Sequence, residues 1–502
     1  MAKATTTKPA AKKPTAKKAP AKKPAAATAK ATAAKKPTAK TSAAKKPAPR
    51  KAPAKAKANP TPWYDSYPAG VPHNVDTSQY ASLTDMLEES FRKFADRDAY
   101  ILMDKKLTYG ELDKASAAFG AYLQSLGLQQ GDRVAIMLPN ILQSPVAVAG
   151  VLRAGFVVVN VNPLYTEREL EHQLKDSGAK ALVIVENFAS VFQAVAAKTP
   201  VEHVITTTVG GMLGFPKGNI VDFVLKSVKK QVPAFDLPNA VSMKTAVSKG
   251  GAMTLKKPTI KREDVAALQY TGGTTGVSKG ATLLHDTLLA ALLASDAWLK
   301  PGLEKDGPLE EPMMVVTALP LYHVFAFVTC SLLSTRVGGT CLLIPNPRDL
   351  PATIKELRKY QFHVFPAVNT LFGGLANHPD FKTLDFSKLR ICNGGGMAVT
   401  KAVAEKWLNI TGCAICEGYG LSETSSGISC NPSNTTVYTG NVGLPMPGVS
   451  VKMIGEDGKE VPIGERGEIC IKGPQVMRDY WQRPDATADA FTKDGYFRSG
   501  DV

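Results

Sequence analysis

The sequence predicts an α/β protein: two βαβ-type subdomains, then a small antiparallel β subdomain, with a basic leader ahead of them. Three observations carry this. Short apolar runs alternate with helically spaced segments between residues 134 and 208. A second alternating block runs from about 268 to 415. Past Gly448 the pattern changes to short strands with a tight turn between them. Strand–helix alternation with short links builds parallel sheets, whereas strands joined by turn residues pair antiparallel.

Each element has its own local reason. Residues 134–138 are an uninterrupted apolar run of strand length, and 144–155 carry helical spacing. Residues 157–161 are mostly β-branched and read as a strand. Thr166-Glu167-Arg168-Glu169 is a capping box, and Leu170 and Leu174 follow four residues apart, so 166–178 is a helix. Residues 181–185 form a strand, 187–197 a helix and 204–208 a strand. Residues 268–270 read as a strand entering a glycine-rich loop. In the last part, 450–454 and 468–472 alternate as strands, with Asp457-Gly458 as a turn between them. The expected division is 1–60 as a tail, 61–448 as the α/β body and 449–502 as the β-rich part.

The charge belongs almost entirely to the tail. The 502-residue chain has a formal net charge of +17, from 61 Lys+Arg against 44 Asp+Glu. Residues 1–60 hold 18 basic residues and no acidic one, so the other 442 residues are balanced, with 43 basic against 44 acidic. A body that coats nucleic acid is therefore excluded. Residues 1–60 contain no Leu, Ile, Val, Phe, Tyr or Trp, and the tetrapeptide Ala-Lys-Lys-Pro recurs four times. Such a segment has nothing to bury and is expected to be disordered, partly polyproline II. It is similar in composition to the tails of linker histones. Three roles stay open for it: a solubilising leader, non-specific nucleic-acid binding, and attraction to an anionic membrane surface. A mitochondrial transit peptide fits poorly, since Arg50 is the tail's one Arg and no apolar face exists. Seven Cys, an odd number, suit a reducing compartment better than a disulfide scaffold. Cys413-Ala414-Ile415-Cys416 is a single CxxC pair, weak as a zinc signal and better read as alternation in a strand. No apolar run reaches membrane-spanning length, so any membrane contact is expected to be peripheral, at the inner face, for a cytoplasmic protein.

The chemistry concentrates in the segment Thr271-Gly272-Gly273-Thr274-Thr275-Gly276-Val277-Ser278-Lys279-Gly280. Phosphate binding needs close backbone approach, N–H and hydroxyl donors and a cation, and these ten residues offer all of them. It is not a Walker A loop, because Ser278 rather than Gly precedes Lys279, and it holds no G-x-G-x-x-G fingerprint. Further along stand Leu319-Pro320-Leu321-Tyr322-His323, Gly394-Gly395-Gly396, Glu417-Gly418-Tyr419-Gly420-Leu421-Ser422-Glu423-Thr424, and Tyr496-Phe497-Arg498-Ser499-Gly500-Asp501.

In order and spacing these pieces resemble the adenylate-forming (AMP-binding, acyl-CoA synthetase) superfamily over roughly residues 64–502. The branch they look most like is the bacterial long-chain fatty acid–CoA ligases, to which 161–174 and 473–487 are also similar. The resemblance implies the large N-terminal domain of those enzymes and a two-step reaction: ATP turns a carboxylate into an acyl-adenylate, and coenzyme A then takes the acyl group. It implies ATP and CoA as substrates with a long-chain fatty acid, and Mg²⁺ as the metal. Carried over residue by residue, Lys279, His323, Glu423 and Thr424 are expected to be catalytic. Thr271, Gly272, Gly273, Thr274, Thr275, Gly276 and Lys279 are expected to grip the β- and γ-phosphates. Gly394, Gly395 and Gly396, with Glu417, Gly418, Tyr419 and Gly420, are expected around the nucleotide, Tyr419 stacking on adenine. Thr424 is the expected α-phosphate contact, Asp501 the ribose ligand, Glu423 the Mg²⁺ ligand, and His323 a neighbour of the reacting carboxylate. Ser422 stands where Thr is commonest, and Asp479 where Gly is usual. Family members continue past Asp501 into a small mobile domain, so residues 1–502 are expected to bind ATP or acyl-adenylate but to form acyl-CoA slowly. Two alternatives remain open: the same adenylating core serving another acid or acceptor, and a protein that binds nucleic acid or an anionic surface through its tail.

Overall fold

A computed structural model describes residues 61–271 and 277–502. The basic tail 1–60 and the loop residues Gly272, Gly273, Thr274, Thr275 and Gly276 lie outside the described residues.

Two large sheets organise the rest. One has seven strands, in the order Val241–Ser242, His203–Thr207, Ala181–Val185, Arg133–Met137, Val157–Asn160, Val265–Tyr270, Gly280–Leu284. All pairs in it are parallel except the last, which is an antiparallel hairpin around the glycine-rich loop. The central strands are fully buried, as apolar runs flanked by helices on both faces require. The predicted capping box is present: Thr166 Oγ1 accepts from Glu169 N, and the Glu169 carboxylate accepts from Thr166 N at 2.8 Å. Gly178, at φ 62°, ends that helix in the left-handed conformation a Gly tolerates.

Two expectations change. The helix expected over 187–197 is broken into the 3₁₀ turn Glu186–Phe188, the short helix Ala189–Gln193 and the 3₁₀ turn Ala196–Lys198. Asn187 donates its side-chain amide to Gln231 O, and Val191 and Val195 are weak helix formers, so local propensity does not hold a continuous helix. The strand at the start of the second block joins the first sheet, pairing with Val157–Asn160.

The second sheet has nine strands. Its middle is parallel, with Met314–Thr317 between Val364–Ala367 and Thr340–Leu343, and Ile391–Gly394 and Ile415–Leu421 beyond. The early hairpin Asp98–Leu102/Lys105–Thr108 closes one edge by pairing with Thr340–Leu343. Trp407, fully buried, anchors one face, its ring 4.7 Å from Phe372, 5.0 Å from Phe381 and 5.4 Å from Phe365. The third sheet, Ser450–Ile454, Glu468–Lys472 and Phe497–Arg498, is antiparallel, and its first two strands have the bounds the alternation predicts. Among the described residues no helix is long and apolar enough to cross a membrane, and all seven Cys are buried thiols.

The helix His285–Leu303 runs from the hairpin to the strands Ile391–Gly394 and Ser426–Cys430 of the second sheet. His285 at its start is 3 % exposed, its Nδ1 has no partner, and burial pushes its pKa down to about 4. Its folded pKa lies below the unfolded value of ~6.5, so the neutral ring favours the folded state above that value and the advantage is lost as pH falls toward 4. Between pH 7.5 and pH 5 this one group is expected to remove about 2 kcal/mol of stability. Urea unfolding at the two pH values, in the wild type and in His285→Gln, checks it: the variant's pH dependence should be shallower.

Candidate active site

The second sheet and the long helix enclose a cavity of about 480 Å³. Its wall carries Thr271, His323, Gly394–Gly396, Gly418–Glu423 and Ser426, and its apolar side is Trp298, Leu299, Val324, Phe325, Cys430 and Met446. These residues come from six separate segments of the chain, among them the ends of the strands Val265–Tyr270 and Ile391–Gly394, the antiparallel hairpin Ile415–Leu421/Ser426–Cys430 and the helix His285–Leu303.

The first wall is the strand Ile415–Leu421, which turns through Ser422–Thr424 and returns as Ser426–Cys430. The turn is tight. Ser425 and Ser426 hold φ of 53° and 116°, and a Cβ on Gly420 would sit 2.0 Å from Ser426 O. Only Gly fits there, and the strained pair is what aims Ser422 and Glu423 at the cavity. Glu423 is 8 % exposed, and its Oε1 accepts from the Tyr480 hydroxyl at 2.7 Å. Burial, then the neighbouring carboxylate, raise the Tyr480 phenol's pKa, so it stays a donor. Lys279 Nζ lies 4.1 Å from the Tyr480 ring centre. Tyr480 thus stands between the loop's lysine and the buried carboxylate.

Tyr480 reaches this position because segment 477–481 lies along the edge strand Gly280–Leu284. Trp481 N donates to Gly280 O at 2.8 Å, Thr282 N to Asp479 O at 2.9 Å, and Met477 N to Glu423 O at 2.7 Å. Asp479 carries no strain in place of Gly; its carboxylate accepts from Arg478 Nε. The stem of the glycine-rich loop is closed by Thr271 N to Lys279 O at 3.0 Å, and His172 Nε2 is 2.8 Å from Ser278 O.

The opposite wall is the loop that carries His323. Asn140, buried at the end of a strand of the other sheet, donates to Thr317 O and Leu319 O and accepts from Leu321 N at 2.8 Å. Gln269 donates to Tyr322 O at 3.0 Å. His323 opens its surface onto the cavity while protein surrounds it on other sides, and this desolvation lowers its pKa, favouring the neutral ring near pH 7. Gly394 and Gly395 form the floor: a Cβ on Gly394 would lie 2.7 Å from Val399, and one on Gly395 3.0 Å from Phe325.

Among the described residues, the expected site residues fall into three groups. Thr271, His323, Gly394–Gly396, Gly418, Tyr419, Gly420 and Glu423 share the cavity. Lys279 and Asp501 reach its edge through tyrosines, Asp501 accepting from the Tyr419 hydroxyl at 2.6 Å. Burial, then the bond to Asp501, raise the Tyr419 phenol's pKa. Thr424 and Glu417 do not face the cavity. The Thr424 hydroxyl is fully buried, bonded to Leu421 and Ser426 backbone, and Ser422 lines the wall instead. The Glu417 carboxylate accepts from Val399 N at 2.9 Å and so props the glycine floor. Tyr480, Asn140 and His172 are additions that motif reading gave no role, because their contribution exists only across 57 to 181 residues of chain.

Comparison with known proteins decides the family. The AMP-binding enzyme profile matches residues 87–481. The chain belongs to the AMP-binding enzyme family. Within that family it is 50 % identical over 443 residues to a long-chain-fatty-acid–CoA ligase of Escherichia coli O6:H1, covering 88 % of this chain and 78 % of that one. It is 51 % identical over 441 residues to the Yersinia pestis protein of the same description, covering 88 % and 77 %. Among solved AMP-binding enzymes, a long-chain-fatty-acid–CoA ligase from Archaeoglobus fulgidus shares the fold with a TM-score of 0.70 at 24 % identity, over 86 % of this chain and 83 % of that one.

Proposed function

We propose that this AMP-binding enzyme activates a long-chain fatty acid with ATP and passes the acyl group to coenzyme A. The observation that carries the reading is the 50 % identity to a long-chain-fatty-acid–CoA ligase over 88 % of the chain. The cavity suits it, since apolar side chains lie directly beside a buried carboxylate and a glycine floor.

In the first step a carboxylate oxygen attacks the α-phosphorus and pyrophosphate leaves. In the second a thiolate attacks the acyl carbon and AMP leaves. The protein's task is to position these groups and to stabilise charge. In this reading Thr271, Lys279 and the loop between them hold the β- and γ-phosphates. Ser422, rather than Thr424, offers a hydroxyl at the α-phosphate. Tyr419 packs on adenine, and Asp501, tied to Tyr419, accepts from the ribose hydroxyls. His323, as a neutral ring, donates or accepts at the acid's carboxylate. Residues 61–448 form the binding body, and 449–502 contribute Asp501 and Tyr480.

The residues fit one Mg²⁺ held chiefly by phosphate and water. Among the described residues no group of three or more His, Cys, Asp or Glu could cage a metal, but Glu423 has one carboxylate oxygen on Tyr480 and the other unengaged. A hard cation that keeps several waters needs no more than one such carboxylate from the protein. When bound, Mg²⁺ neutralises charge on the phosphates.

A competition among acids tests the reading. With ATP, Mg²⁺ and CoA supplied, palmitate should drive more AMP release than acetate, octanoate or ferulate. Preference for the aromatic or short acids would move the function to another acid class.

A further inference from the structure

Tyr480 touches two groups of opposite charge, and only the fold brings the three together. Its hydroxyl donates to Glu423 Oε1 at 2.7 Å, and its ring centre lies 4.1 Å from Lys279 Nζ. Tyr480 is 7 % exposed and Glu423 8 %. Two groups so far from bulk water make a strong bond, because a hydrogen bond to a carboxylate is charge-assisted and little screened there.

The backbone on either side of the phenol is clamped. Arg478 N donates to Thr282 O at 3.1 Å, Thr282 N to Asp479 O at 2.9 Å and Trp481 N to Gly280 O at 2.8 Å. Segment 478–481 is therefore an added edge on the strand Gly280–Leu284, which begins one residue after Lys279. Tyr480 N donates to Thr487 Oγ1 at 3.0 Å, and Met477 N to Glu423 O at 2.7 Å. The phenol is thus fixed to the stem of the glycine-rich loop on one side and to the turn that bears Glu423 on the other.

Packing alone would be served by Phe. The hydroxyl adds a donor that holds one Glu423 oxygen and leaves the other unengaged. The ring attracts the Lys279 ammonium without neutralising it, so its charge stays available to a phosphate, whereas a carboxylate in that place would compete.

We propose that Tyr480 is a positioning residue for the metal–nucleotide complex: its hydroxyl orients Glu423 toward Mg²⁺, and its ring orients Lys279 toward the β- and γ-phosphates. The proposal rests on the reading of Glu423 as the carboxylate for the metal and of Lys279 as a phosphate cation. It adds the group that sets both.

Calorimetric titration of ATP into the full chain, with Mg²⁺ and with EDTA, separates the two contributions. Tyr480→Phe keeps the ring and removes one oxygen. It should reduce the gain in ATP affinity that Mg²⁺ brings by about tenfold, the low end of what outer partners of metal-holding side chains contribute, and leave the affinity in EDTA at the wild-type value. Tyr480→Leu removes the ring as well, so in EDTA its preference for ATP over AMP should also fall, by about threefold. A side chain that only packs would move the affinities with and without the metal together. A cooperative melt above the assay temperature shows that each variant is folded. A Tyr480→Phe protein that keeps the wild-type Mg²⁺ gain, or that loses affinity equally with the metal and with EDTA, would overturn the proposal; Glu423 would stay at the metal as long as Glu423→Gln abolishes that gain. A gain that survives in Glu423→Gln would instead end the metal reading, and the proposal with it. An unchanged ATP-over-AMP preference in Tyr480→Leu would overturn the part given to the ring.

Discussion

Glu423→Gln is expected to remove the Mg²⁺-dependent part of ATP binding while leaving the fold intact. The amide is isosteric, so the Tyr480 hydroxyl can still donate to the side-chain oxygen at position 423. What disappears is the negative charge, and with it the carboxylate proposed to hold the metal. Partners one shell further out typically cost 10–100-fold in metal affinity when removed, so a direct ligand should cost about 100-fold. Calorimetric titration of ATP with and without Mg²⁺ reads this: the wild type should bind far more tightly with the metal, and the variant equally with or without it. Melting temperatures within a few degrees of each other would show that the loss is not unfolding. Mg²⁺-dependent binding that survives in Glu423→Gln would remove Glu423 from the metal site.

Gly420→Ala is expected to damage both stability and nucleotide binding. The added Cβ would lie 2.0 Å from Ser426 O and 2.6 Å from Ser426 C, and the obstacle is backbone that no rotamer change can clear. Ser425 and Ser426 already hold positive φ at 53° and 116°, so the turn has little freedom to give. Overpacking costs of about 1–3 kcal/mol are usual, and a backbone-to-backbone clash belongs at the upper end, about 3 kcal/mol. Opening the turn also swings Tyr419, Ser422 and Glu423 away from the cavity, so ATP affinity should fall at least about tenfold, for a loss of about 1.4 kcal/mol. Gly427→Ala is the control, since its nearest neighbour would be Met446 Sδ at 3.5 Å, an ordinary contact. Equal stability and ATP affinity in the two variants would mean that the turn does not hold the site.

What was legible in the sequence follows the range of the interactions involved. The strands Ala181–Val185, Ser450–Ile454 and Glu468–Lys472 keep the bounds that apolar runs and alternation predict, and the Thr166 capping box stands in place, because these signals act within a few residues. The early hairpin's place in the nine-stranded sheet was not legible. Tyr100 meets Cys341 across 241 residues, and no local pattern encodes such a pairing. The same holds for Val265–Tyr270, whose alternation predicts a strand without saying which sheet receives it.

The site divides the same way. Glycines and the buried Glu of 417–424 are readable because the turn they make is local. Which of Ser422 and Thr424 faces the cavity is not, since it depends on the positive φ of Ser425 and Ser426 that follow. Tyr480 lies in 473–487, a segment whose family likeness is legible, but its role lies in an edge pairing with the hairpin 265–284 and a hydrogen bond to Glu423 57 positions away.

The central claim is that this cavity holds an adenylate joined to a long acyl chain. Calorimetric titration of the full chain with a non-hydrolysable palmitoyl-adenylate analogue, against its benzoyl counterpart, tests it most directly. The predicted result is one-to-one binding of the palmitoyl analogue, displaced by ATP and at least about a hundredfold tighter than the benzoyl one, a gap of about 2.7 kcal/mol. Equal affinity for the two, or binding that ATP does not displace, would contradict it.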